Sequence, residues 1–109
     1  MSELIAELKK LGLLNPNGFT VLLPDLTPVS KGWVVAMKET QNSFGDEGLK
    51  RVLEIALKTT KVIGGWKQGR KWYWDASFIF DNEETATKAG LENGQIAIYN
   101  IETNYLKFI

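Results

Sequence analysis

The sequence predicts an α+β fold in which helices cover one face of a mainly antiparallel sheet of about five to six strands. Two observations support this prediction. Helix and strand patterns follow one another in the order αββ-αββ-αββ, and one long strand pattern carries large rings on a single side. A chain of 109 residues can build one hydrophobic core, so we expect residues 1–109 to form a single domain.

Residues 71–80 form the strand pattern on which the fold prediction depends. Side chains alternate across a strand, so its even and odd positions face opposite sides. We expect the even side to be buried, because exposing its rings would leave a large apolar patch. Gln68-Gly69 precedes this strand and predicts a hairpin turn after an earlier strand at residues 62–66. The even side carries Trp72, Trp74, Ala76, Phe78 and Phe80.

The first third of the chain predicts one helix and two strands. Ser2 is a candidate N-cap for a helix that Gly12 and Asn15-Pro16-Asn17-Gly18 would end, and residues 19–23 are predicted to form a short strand. Two prolines make residues 24–28 a stiff, irregular connection. Residues 32–39 have apolar side chains on both faces, which favours an interior strand.

Two further helices and two further strands follow. Asp46 and Glu47 begin a helix with the strongest helical period of the chain, after a polar loop at residues 40–45. Asn82 is expected to cap a third helix that ends at Asn93-Gly94. Strands are predicted at residues 95–102 and 105–109.

Composition excludes several kinds of chemistry. The chain has no cysteine and no histidine, which removes thiolate catalysis, cysteine zinc sites and the commonest general base. The formal net charge is zero, so no overall field attracts nucleic acid or an anionic membrane. No apolar run reaches the roughly 18 residues of a membrane span, and the lack of cysteine fits a reducing cytosol.

The hairpin is the first candidate site, because it mixes basic and aromatic residues. Exposed rings stack on nucleic-acid bases and cations track phosphates, but the rings of the even side are expected to be buried. Trp66 and Tyr73 are the rings expected to remain outside. The candidate residues here are Trp66, Lys67, Arg70, Lys71 and Tyr73.

Three other features are weaker candidates. The loop with Gln41 and Asn42 precedes a helix and resembles an anion-binding corner, although Asp46 and Glu47 oppose that interpretation. A polar connection that contacts a protein is the alternative.

Charge is divided along the chain, with a net +3 in residues 46–80 and a net −3 in residues 81–109.

Among the carboxylates, Asp75 lies on the long strand beside aromatic residues. Desolvation there would raise its pKa. No spacing matches a two-carboxylate site or a calcium loop, so an enzyme is a third hypothesis and not the leading one.

Three segments of the C-terminal half match parts of one known sequence pattern. They are Trp72 to Ser77, Phe80 to Asn82, and Glu92 to Asn100. Together they resemble a pattern in small uncharacterised proteins of bacteriophages and mobile elements. The resemblance brings no catalytic residues. It implies a phage or mobile-element setting, in which small proteins often act by binding a host or defence protein.

We therefore expect a non-enzymatic protein-binding module in the cytoplasm of a bacterial host cell, with no cofactor and no metal. Its expected partner is a host or defence protein, which it would inhibit in the manner of an anti-CRISPR protein. The alternative is single-stranded nucleic-acid binding through the hairpin at residues 66–74.

Overall fold

The computed structural model describes residues 2–109, and within them the chain forms three α-helices and one seven-stranded sheet. The helices are α1 (Ser2–Leu14), α2 (Gly45–Lys58) and α3 (Glu83–Glu92). The strands are β1 (Phe19–Leu22), β2 (Thr27–Pro28), β3 (Trp33–Ala36), β4 (Val62–Gln68), β5 (Lys71–Phe80), β6 (Ala97–Asn100) and β7 (Tyr105–Phe108).

The strands pair antiparallel throughout, in the order β2-β1-β4-β5-β3-β6-β7. Helices α1 and α2 pack over β1, β4 and β5, while α3 packs over β3 and β6 on the same face. The α+β class and the antiparallel sheet with helices on one face are therefore confirmed.

The ring-bearing side of β5 lies under the helices. Trp74 and Ala76 are buried in one cluster with Leu49 and Leu53 of α2. Trp74 lies directly over Gly65 of β4, since a Cβ added at Gly65 would come within 2.7 Å of the Trp74 ring. Glycine at this position therefore gives the indole room to lie flat against the sheet.

Local signals for the hairpin and the third helix are confirmed. Gly69 has a φ of 64°, which is the left-handed conformation that the turn after β4 requires. Asn82 caps α3 by accepting a hydrogen bond at Oδ1 from the Thr85 backbone N–H at 2.9 Å. Strand β3 lies between β5 and β6, as the apolar residues on both of its faces indicated.

The expected roles of Ser2 and Gly12 at the ends of α1 are wrong, whereas the predicted stop at Asn15-Pro16-Asn17-Gly18 is confirmed. Ser2 is already helical, and the helix continues through Gly12 to Leu14. Gly12 serves close packing instead of termination, because a Cβ there would lie 3.1 Å from Cζ3 of Trp72. Asn15 directly follows the last residue of α1, and its side chain donates a hydrogen bond to the Leu11 carbonyl at 3.0 Å.

The stretch at residues 24–28 is not irregular throughout. Thr27–Pro28 pairs with Val21–Leu22 and forms the outer strand β2, where proline is tolerated because its missing N–H would face away from the sheet. This pairing accounts for a strand number above the expected five to six among residues 2–109.

The predicted strand at residues 32–39 ends early, at Ala36. A 3-10 turn at Lys38–Thr40 follows. Beyond the end of β3, the Thr40 hydroxyl accepts a hydrogen bond from β5 in place of a backbone carbonyl. It donates to the Met37 carbonyl at 3.1 Å and accepts the Ala76 backbone N–H at 3.2 Å. A side chain that substitutes for a backbone partner in this way cannot be recognised from periodicity alone.

Replacing Gly65 by alanine tests the packing of Trp74. The added Cβ would overlap the Trp74 ring and also the Phe19 ring at 2.9 Å, so we expect the free energy of unfolding to fall by about 1–3 kcal/mol. Urea denaturation measures this change. Gln68→Ala, at an exposed position of the same strand, is the control and should change stability by less than about 0.5 kcal/mol. Equal stability of the two variants would contradict the described packing.

Candidate functional site on the open face of the sheet

The face of the sheet opposite the helices is formed by alternate residues of the same strands. Directly paired residues of antiparallel strands point to the same side, so the odd positions of β5 share this side with their partners in β4 and β3. We call this side the open face. Its residues include Thr20, Gly64, Trp66, Tyr73, Asp75, Ser77, Val34, Tyr99, Leu106 and Phe108.

A groove of about 730 Å³ runs across the open face. Thr20 of β1 and Leu106 of β7 both line it, although these strands lie near opposite ends of the sheet. The open face is therefore concave. Val34, Tyr99 and Asp75 also line this groove, which combines apolar walls with a few polar groups, as ligand sites commonly do.

The Asp75 carboxyl group lies in this groove, on the central strand. Its Oδ1 accepts a hydrogen bond from the Ser77 hydroxyl at 3.2 Å, and Asp75 forms no ion pair with any side chain of residues 2–109. Gly64 lies directly opposite, where a Cβ would come within 2.9 Å of the carboxylate oxygen. The absence of a side chain at Gly64 therefore leaves space for the carboxyl group.

Burial raises the pKa of the Asp75 carboxyl from its ordinary value of 3.8 to about 6, and the hydrogen bond from Ser77 opposes part of this rise. The prediction that Asp75 is desolvated is confirmed. Near neutral pH the group is mostly ionised, and its charge is then only partly hydrated. A ligand that supplies a positive charge or hydrogen-bond donors would offset this desolvation.

Aromatic rings form a second feature of the open face. Trp66 and Tyr73 stack across β4 and β5 with ring centroids 5.6 Å apart and planes 14° apart. Phe44 contacts Tyr73 from the other side, with centroids 5.9 Å apart. Lys71 Nζ lies 4.3 Å from the centroid of the Phe44 ring, within the range of a cation–π contact. Trp66 and Tyr73 are half-buried, so part of each ring is open to a ligand.

The basic residues of the hairpin do not gather with these rings. Lys67 pairs with Trp72 and therefore lies on the helix side of the sheet. Arg70 lies in the turn and lines a separate cavity with Leu13 of α1. Of the hairpin candidates, the structure places Trp66, Lys71 and Tyr73 on the open face, while Lys67 and Arg70 lie apart from it. Lys71, next to the turn, also lines the cavity that Arg70 lines.

Gln41 and Asn42 are exposed at the tip of the loop between β3 and α2. Both line a groove of about 450 Å³ that also includes Tyr73 and Asp75. The loop is held in place by Arg51, whose guanidinium donates to the Ser43 hydroxyl at 2.8 Å and to the Glu39 carbonyl. These two loop residues and the ring stack therefore border one continuous surface.

The apolar part of the open face was not predicted from the sequence. Leu106 and Phe108 of β7 are exposed, Phe108 at 72% of its full area, and Tyr99 lies beside them. Their alternation at positions 106 and 108 was visible, but the side of the sheet they occupy depends on the register with β6. An exposed apolar patch of this kind is typical of an interaction surface.

Among residues 2–109, no three acidic, histidine or cysteine side chains approach closely enough to hold a metal ion. None of the helices in this range has the length and apolar character needed to cross a membrane. No family model, curated protein or solved structure matches the chain.

Replacing Asp75 by asparagine tests the pKa of its carboxyl group. Between about pH 4 and pH 6 the folded protein retains a proton that the unfolded chain has lost, so its free energy of unfolding falls as pH rises and then levels off above pH 6. The rise in pKa corresponds to a loss of at most about 3 kcal/mol in the free energy of unfolding, and solvent in the groove reduces this loss to about 1–2 kcal/mol.

Asp75→Asn should therefore be more stable than the native chain at pH 7.5 by about 1–2 kcal/mol and similar to it at pH 4. Denaturation at a series of pH values measures both. Asp81→Asn, at an exposed position outside the groove, is the matched control and should leave the pH profile unchanged. A pH-independent difference between Asp75→Asn and the native chain would contradict the raised pKa.

Proposed function

We propose that the protein is a non-enzymatic binding protein whose open face holds a segment of another protein. The observation that carries the proposal is the groove itself: a concave, largely apolar surface without a helical cover, with a carboxylate in it that has no basic partner among the described residues. Concave apolar surfaces with a few polar groups are the usual form of a binding site.

The lining of the groove determines what kind of segment fits. Val34, Ile101 and Leu106 offer apolar contact area, while Asp75 offers a negative charge in a partly desolvated position. A peptide segment with an aliphatic or aromatic residue next to a lysine or arginine is complementary to both. The basic group would pair with Asp75 and remove an unfavourable buried charge.

The groove also supports the non-enzymatic part of the proposal. A carboxyl group with a raised pKa is a feature of many active sites, so Asp75 by itself would suit a general base. Glycoside hydrolysis, for example, needs a second carboxyl group placed beside the first. Asp75 is the acidic residue that lines this groove within residues 2–109, and no basic side chain of that range lines it.

The proposed role of that binding is inhibition of a host or defence protein. Its support is the resemblance of three segments, Trp72 to Ser77, Phe80 to Asn82 and Glu92 to Asn100, to small phage and mobile-element proteins, together with a surface suited to blocking a partner by occupying it. The same resemblance is the support for a bacterial cytoplasmic setting.

Selection of displayed random peptides on the immobilised protein tests the proposal. We expect enriched peptides to combine a lysine or arginine with a neighbouring apolar residue, and to bind Asp75→Asn at least about tenfold more weakly, which corresponds to about 1.4 kcal/mol. Fluorescence anisotropy of a labelled peptide measures the affinities. Because Asp75→Asn is expected to be the more stable protein, weaker binding cannot be attributed to unfolding.

Asp81→Asn is again the control and should bind the peptide as the native chain does. Peptides without basic residues, equal binding to Asp75→Asn, or no enrichment at all would each contradict the proposal.

A second candidate function is single-stranded nucleic-acid binding, which the stacked Trp66 and Tyr73 rings beside Lys71 favour. Two observations count against it. The remaining hairpin cations lie away from these rings, and Asp75 places a negative charge beside them where phosphates would pass.

Tryptophan fluorescence with a single-stranded oligonucleotide tests this alternative. If it holds, quenching should weaken with salt, and Lys71→Gln should reduce the logarithmic salt dependence by about one unit. Lys67→Gln, on the opposite side of the sheet, should leave it unchanged. No quenching at low salt would exclude this function.

A further inference from the structure

A separate cavity of about 270 Å³ lies on the helix side of the sheet, between the end of α1, the start of α2 and the hairpin turn. Its walls are mainly apolar and are formed by Leu13, Phe44, Trp72 and Trp74. Trp72 and Trp74 stack with centroids 6.1 Å apart and planes 24° apart, so two indole rings contribute to one wall. The cavity therefore suits a flat, apolar group.

Trp74 contributes a polar group that has no partner. The residue is 3% exposed, and its Nε1–H forms no hydrogen bond with any atom of the described chain. Cε3 and Cζ3 of the indole lie next to Gly65 on β4. Trp74 also lines the cavity, so this unpaired donor belongs to a residue that a ligand there would contact. A buried donor without an acceptor is unusual and destabilising, and a bound acceptor would satisfy it.

The start of α2 provides further donors at the same cavity. This helix has 14 residues, Phe44 occupies its N-cap position, and no side chain caps it. Gly45 and Asp46 of its first turn line the cavity. Uncapped backbone N–H groups and the positive end of the helix dipole favour an anion at this position.

Charged side chains around the cavity are mainly basic. Lys9, Arg70 and Lys71 line it, against one acidic residue, Asp46. The Asp46 carboxylate is engaged by Lys9 Nζ at 3.0 Å, so the two charges largely offset each other. Arg70 and Lys71 remain available to a negatively charged ligand, with Lys71 also lying over the Phe44 ring.

We propose that this cavity binds a small organic carboxylate with a flat apolar body. The apolar body would lie against Trp72 and Leu13. The carboxylate would accept hydrogen bonds from the Trp74 indole N–H and the first turn of α2, and would pair with Arg70. The small volume and the mainly apolar walls favour such an acid over a nucleotide, and the cavity is separate from the groove of the open face.

Nuclear magnetic resonance of the indole N–H groups tests the proposal with 2-naphthoate as the probe. The chain has four tryptophans, so four indole signals are expected, and the signal absent from Trp74→Phe identifies Trp74. We expect 2-naphthoate to shift the Trp74 signal saturably. The neutral analogue 2-naphthalenemethanol should bind at least about tenfold more weakly, because it lacks the charge that the cavity recognises.

A matched pair of hairpin variants tests the charge contribution. Arg70→Gln should raise the dissociation constant of 2-naphthoate by at least about fivefold, whereas Lys67→Gln, which does not line the cavity, should leave it unchanged. Both positions are exposed, so neither variant is expected to disturb folding. No saturable shift at Trp74, equal binding of the neutral analogue, or equal effects of the two variants would each overturn the proposal.

Discussion

The packing of Trp74 over Gly65 is the contact on which the other features depend. It places the even side of β5 in the core that α2 shares with the sheet. Because side chains alternate along a strand, the same contact directs Tyr73 and Asp75 to the open face. It also places Trp74 in the wall of the helix-side cavity. One aromatic contact thereby orients the residues of both proposed binding sites.

Two glycines in one strand serve opposite faces of the sheet. Gly65 accommodates the Trp74 ring on the helix side, and the adjacent Gly64 leaves room for the Asp75 carboxylate on the open side. Glycine lowers the stability of a strand because it adds no packing and loses more backbone entropy on folding. At both positions this loss is offset by a larger side chain in β5 that occupies the vacated space.

The segment between β3 and α2 links the two proposed sites. Ser43 accepts the Trp74 backbone N–H at its carbonyl oxygen, 2.9 Å away, and receives the Arg51 guanidinium at its hydroxyl. Phe44 then borders the Tyr73 ring on one side and the helix-side cavity on the other. A connection held by such contacts keeps its shape without belonging to a strand, which suits a loop that borders binding surfaces.

The sequence by itself determined the class of fold, the ring-bearing strand, the hairpin turn at Gly69 and the cap at Asn82, because alternation, glycine conformation and capping are local properties. It also indicated that Asp75 is desolvated. The tertiary structure decided which side each basic residue occupies, that Thr40 replaces a strand partner, and that Leu106 and Phe108 share a concave face with Asp75. These features arise from register, curvature and contacts between distant residues, such as Gly12 with Trp72, and no local pattern records them.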